Sequence, residues 1–118
     1  TLERGCRMEL AVRDEGAVTV VRPAEARLDA MAAVMFKDRM KAALEGGAAR
    51  VVLDLSGVGF LDSSGLGAVV AAQRFLRSGQ VLELAGLTGA VERVFRLTRM
   101  DRMFTIHAGV DDALRATA

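Results

Sequence analysis

Apolar residues recur along this chain with two periods, near two and near 3.6, and the switches between them mark its elements. Met8, Leu10 and Val12 alternate with polar neighbours, the pattern of an edge strand. Residues 17–22 (Ala-Val-Thr-Val-Val-Arg) read as a second strand, joined to the first by a hairpin turn at Asp14-Glu15-Gly16. Pro23 has no N–H for a ladder, so this strand ends or lies at an edge there. Asp29 is placed to cap a helix over residues 30–45. In that helix Ala33, Phe36, Met40, Ala43 and Leu44 share one face, and Lys37, Asp38, Lys41 and Glu45 lie away from it. Gly46-Gly47 stops it.

Residues 50–55 are almost continuously apolar, as a central parallel strand covered on both sides requires. A helix follows from the Ser63-Ser64 pair to about Arg77, where Ser78-Gly79 ends it. Residues 81–85 form another strand and 86–89 a loop, and Val91, Val94, Phe95 and Thr98 make a helical stripe. Residues 104–107 read as a last short strand, and Asp111 as the cap of a final helix through Leu114. The order β-β-α-β-α-β-α-β-α predicts an α/β fold, a mostly parallel sheet with right-handed crossovers and about four helices. With no repeat, low-complexity tract or linker, residues 1–118 are expected to form a single domain.

The composition narrows the function more than the fold. Hydrophobic residues make up 52% and charged residues 26%, which reads as globular. Sixteen basic and fifteen acidic side chains give a net charge of +1, so there is no electrostatic case for nucleic-acid binding. Cys6 is the one cysteine, which excludes an internal disulfide, fits a reducing compartment and reads as an incidental residue near a terminus. No apolar stretch is long enough to span a bilayer, and Glu3, Arg4, Arg7 and Glu9 do not resemble a signal peptide. A soluble cytoplasmic protein is expected.

The chemistry concentrates at Asp62-Ser63-Ser64-Gly65-Leu66-Gly67, where a strand gives way to a helix. Asp62 or Ser63 can supply the N-cap, because a short oxygen-bearing side chain accepts a bond from the first turn. Capping alone explains most serine pairs at such a place, but three details go further. Gly65 and Gly67 each weaken the opening turn by roughly 1 kcal/mol relative to alanine, which calls for close approach by a partner or another element. Leu66 stands between them, placed to project from a bare surface. One serine suffices for the cap, which frees the other hydroxyl. Phosphate on that hydroxyl adds about −1.5 to −2 charge at a helix N-terminus that tolerates anions. A partner docked over the turn would meet a hydrated dianion beside Asp62 and Asp29. Binding would be lost without unfolding.

On these residues the chain resembles a STAS domain of the anti-sigma factor antagonist type, over about residues 18–114. The likeness runs through Arg27-Leu28-Asp29-Ala30, residues 51–58, and Phe60-Leu61-Asp62-Ser63-Ser64-Gly65-Leu66-Gly67; residues 91–97 and Met100-Asp101-Arg102-Met103-Phe104 support it. The resemblance implies a mixed sheet of four or five strands with helices mainly on one side. It implies a protein that binds an anti-sigma factor, itself a serine kinase, so that a sigma factor is released. It places the phosphate on Ser64, with a serine phosphatase to remove it. Asp29 and Asp62 then flank the site, and Asp29, Asp62, Ser63, Gly65, Leu66 and Gly67 form the partner-binding surface. The chain departs from the family pattern at Ala26 and at Arg99, where glycines are usual; Arg99 is expected to alter the turn after the third helix.

Other constellations are weaker. His107 is the one histidine and no Gly-x-Ser-x-Gly elbow exists, so a serine hydrolase lacks its base; His107 reads as a surface or strand-end residue. One histidine and one cysteine do not make a zinc site, and no P-loop or Gly-x-Gly-x-x-Gly motif occurs, so neither metal nor cofactor is expected. Arg93, Arg96, Arg99 and Arg102 read as a solvated face balanced by Glu92 and Asp101. Met31, Val34 and Met35 fall partly off the buried stripe, as extra core or as an adaptable contact patch. The rival to a binding switch is a non-enzymatic STAS subunit of a stress-signalling scaffold or a membrane transporter complex.

Overall fold

The computed structural model describes residues 8–116, so Cys6 lies outside it. Strands β1 (Leu10–Glu15) and β2 (Val18–Pro23) pair antiparallel through Glu15↔Val18. The hairpin turn is Gly16-Ala17 rather than Asp14-Glu15-Gly16, because Gly16 takes the positive φ (70°) that a two-residue turn needs. Strand β2 ends at Pro23, as the missing donor dictates. Helix α1 (Ala30–Glu45) has the expected bounds and buries Ala32, Ala33, Phe36, Met40 and Leu44. Strands β4 (Arg50–Asp54), β6 (Val81–Ala85) and β7 (Ile106–His107) continue the sheet in parallel, in the order β1-β2-β4-β6-β7.

Alternation along these strands creates two unequal layers. Val21, Val51, Leu53, Leu82 and Leu84 face a large core shared with α1, α2 (Ser63–Ala71) and α3 (Gly89–Leu97). Val18, Val20, Val52 and Ala85 face a small one, closed by Ala113 of α4 (Val110–Arg115). Gly109 rather than Asp111 occupies the α4 cap position, and Asp111 falls in the first turn, where its charge still suits the helix N-terminus. Helix α2 stops at Ala71 and tightens into a 3₁₀ turn at Ala72–Phe75, short of Arg77.

A polar network pins the second layer. Arg50 donates to both oxygens of Glu83 (3.0 Å and 2.8 Å) and to the Ala113 carbonyl (2.6 Å), tying α4 to the sheet. His107 Nε2 lies 2.8 Å from Glu83 Oε1, with its side chain only 13% exposed. His107 is therefore a strand-end residue, the last of β7, bonded and mostly buried rather than on the surface. Burial pushes the Glu83 carboxyl up, but hydrogen bonds from Arg50 and His107 outweigh it and hold the group below its ordinary value. The same bond to Glu83 raises the Arg50 guanidinium further. A carboxylate whose folded pKa is depressed stabilises the fold above its unfolded pKa, and this contribution fades as pH falls through the folded value. Glu83→Gln is expected to cost about 2 kcal/mol at neutral pH and to flatten the acid limb below about pH 4.3. Urea titrations across pH check both, and an unchanged acid limb would contradict the assignment.

Arg99 is the one non-glycine residue with positive φ (62°) among the described residues. It ends α3 in the left-handed conformation a glycine would supply, so the departure from the family pattern keeps the turn instead of altering it. Arg99→Gly is expected to gain about 1 kcal/mol by removing the Cβ penalty, raising the thermal midpoint by roughly 4 °C. A thermal melt reads this directly. Because α3 ends at Leu97, the arginine stripe stops with Arg96, which pairs with Glu92; Asp101 makes no ion pair among the described residues.

Candidate functional site

Two short strands absent from the expected order build the site. Strands β3 (Arg27–Leu28) and β5 (Phe60–Leu61) pair in parallel, Arg27↔Phe60 and Leu28↔Leu61. Each buries its leucine, and each is followed by an aspartate that caps a helix. Asp29 Oδ1 accepts from Ala32 N–H at 3.1 Å, and Asp62 Oδ1 from Gly65 N–H at 2.9 Å. The repeated Leu-Asp before a helix was a sequence signal for this pairing. Parallel register sets the two caps side by side, so α1 and α2 begin together at one end of the molecule.

Asp62 takes the cap, and neither serine does. Ser63 and Ser64 are both exposed on the first turn of α2, where unpaired N–H groups point outward. The capping argument that released one hydroxyl therefore releases two. The two glycines separate in role. A Cβ on Gly65 would overlap the Leu28 carbonyl oxygen and stand 2.9 Å from its carbon, so Gly65 lets α2 pack onto β3. Gly67 is exposed, and a Cβ there meets nothing within 4 Å. Leu66 does not project from a bare surface: it is half-buried and packs against the large core.

Around this turn the surface is mixed. Arg27 lies over the Phe60 ring, 4.1 Å from its centroid, and 3.6 Å from Asp29. On α1, Met31 and Val34 are 68% and 63% exposed, while Met35 packs on the core. Ala26, exposed and without positive φ, holds the loop before β5 by accepting from Gly59 N–H at 2.8 Å. His107 is engaged by Glu83 at the other sheet edge rather than by either serine. A separate concavity of about 460 Å³ lies at the C-terminal ends of β4 and β6, lined by Asp54, Ser56 and Asp111 among others. The Asp54 carboxylate there is already held by Arg22 (3.2 Å) and by Ser56 N–H (3.0 Å). No group of three or more metal-ligating side chains occurs among the described residues. None of their helices is long and apolar enough to cross a membrane.

An antiparallel hairpin leading into a parallel sheet, with a serine-bearing helix start on a minor two-strand pair, defines a mixed-sheet α/β class. The STAS domain family model matches residues 9–113, and the chain belongs to that family. It is similar in structure to an anti-sigma factor antagonist from Mycobacterium paratuberculosis, at 28% identity and a TM-score of 0.82, covering 93% of each chain. It is also similar to an anti-sigma-factor antagonist (STAS) domain protein from Planctomyces limnophilus, at 25% identity and a TM-score of 0.80, covering 91% of this chain and 96% of that one.

Proposed function

We propose that this protein is an anti-sigma factor antagonist, a cytoplasmic one-domain, non-enzymatic switch controlled by phosphorylation of Ser64. The observation that carries the reading is the cap: Asp62 accepts from the Gly65 N–H, so neither serine is needed for it and Ser64 is exposed with no structural bond to lose. Unphosphorylated, the protein binds an anti-sigma factor that is also a serine kinase, and the sigma factor is released. The exposed turn Ser63-Ser64-Gly67 and the flanking Asp29 and Asp62 meet the partner. Gly65 and Leu66 shape that surface from beneath, since they pack inward. Phosphate on Ser64 is tolerated by the N-terminus of α2 but repels the partner, and a serine phosphatase restores binding. The structural likeness to anti-sigma factor antagonists at 25–28% identity supports this choice among STAS roles.

Peptide-mapping mass spectrometry of protein from its native cells tests the reading. Phosphate on Ser64 and co-purification with a small kinase are expected. Unmodified Ser64 across growth and stress conditions, with recovery in a large assembly, would replace the switch with the scaffold or transporter-subunit role.

A further inference from the structure

Strand β1 forms one edge of the main sheet, and all its residues after Leu10 are exposed. Among the described residues no strand pairs with its outer edge, and proteins normally cover or charge such an edge. Beside it runs a groove of about 360 Å³ whose floor is Leu10 and Val12 of β1 with Ala42 and Ala43 of α1. Val12 is 51% exposed, so the floor is open to solvent. Asp14 and Arg39 line the same groove.

The two charges stand at opposite ends. Strand β1 is antiparallel to β2, and α1, as the crossover between parallel β2 and β4, also runs against β2. Thus β1 and α1 run the same way. Asp14 accepts from the Thr19 hydroxyl (3.0 Å), which in turn accepts from Ala48 N–H (2.9 Å), so Asp14 sits just past the α1 C-terminus. Arg39 lies two turns back, roughly 10 Å along the helix. Neither has an ion-pair partner among the described residues. An anion beside the negative end of a helix is poorly placed without a cation.

We propose that this face binds a second copy of the chain across a two-fold axis at the β1 edge. A two-fold reverses the groove end for end, so Arg39 of each copy meets Asp14 of the other, and Val12 packs near its own counterpart. The edge strands pair antiparallel and the open edge disappears. The interface uses the C-terminal half of α1, so both Ser64 turns, at its N-terminal end, stay accessible in the dimer.

Sedimentation equilibrium of the full chain tests this up to about 1 mM. A dimer is expected, with Val12→Asp weakening it at least tenfold. Asp14→Arg and Arg39→Asp are each expected to be monomeric and folded by circular dichroism, and to form a heterodimer when mixed, since both charge pairs are then restored. A monomeric parent, a dimer indifferent to Val12→Asp, or single variants that fail to pair on mixing would each overturn the proposal. Ser64→Asp leaves the dimer unchanged, so this result stands or falls apart from the switch.

Discussion

Gly65→Ala is expected to destabilise the fold by about 3 kcal/mol, lowering the thermal midpoint by roughly 10 °C. The added methyl meets backbone, the carbonyl of Leu28, which has no rotamer by which to yield. Relief requires α2 to move off β3, and that movement uncouples the Leu28–Leu61 pair and the adjacent caps. Gly67→Ala is the control. Its Cβ meets open space in a helix, so it gains roughly 0.5–1 kcal/mol. Equal thermal midpoints for the two variants would refute the close approach of α2 and β3. On the proposed function, Gly67→Ala also weakens partner binding while strengthening the fold, a combination that loss of structure cannot produce.

On the proposed function, Ser64→Asp is expected to reduce affinity for an anti-sigma kinase on the order of 100-fold, and Ser64→Ala to bind like the parent while escaping inactivation. The fold does not suffer, because a carboxylate in the first turn of a helix is favourable by about 0.3–1 kcal/mol. Binding suffers because the partner must desolvate a charge next to Asp62. Isothermal titration of both variants against the kinase, with a urea titration beside it, separates the effects. Equal affinities would sink the switch, and a drop in stability for Ser64→Asp would undo the reasoning about the cap. Ser63, one residue earlier and equally free, is the internal comparison: Ser63→Ala retains the phosphate on Ser64.

Much of the site was legible before the fold. Asp29 was readable as a cap because capping depends on a few neighbouring residues, and α1 begins where it predicts. The special character of Asp62-Ser63-Ser64-Gly65-Leu66-Gly67 was legible too, since two glycines in a helix start demand a reason. Which reason applied to which glycine was not. Gly65 faces Leu28, thirty-seven positions away, and only the β3–β5 pairing brings them together. Two-residue strands carry too little periodicity to announce themselves. Leu66 was misplaced for the same cause: its exposure depends on which side of α2 turns to the core.

His107, a strand-end residue as one of its two readings had it, and Arg99 show where local reading stops short. His107 looked peripheral because its partner Glu83 belongs to another strand, and a charge in a strand does not declare what it will meet. Arg99 looked disruptive because residue preference favours glycine in the left-handed region; the packing of α3 around Val91 and Phe95 overrules that preference.

By itself the sequence determined the order of the five main-sheet strands and the four helices, the two capped helix starts and the serine pair, all properties of local periodicity and short-range hydrogen bonding. The tertiary structure alone decided that Asp62 holds the cap, that Gly65 is a packing glycine and Gly67 an open one, and that the two helix starts share one surface. Those outcomes depend on contacts between residues distant in the chain, whose register is set by burying Leu28 and Leu61 in one core.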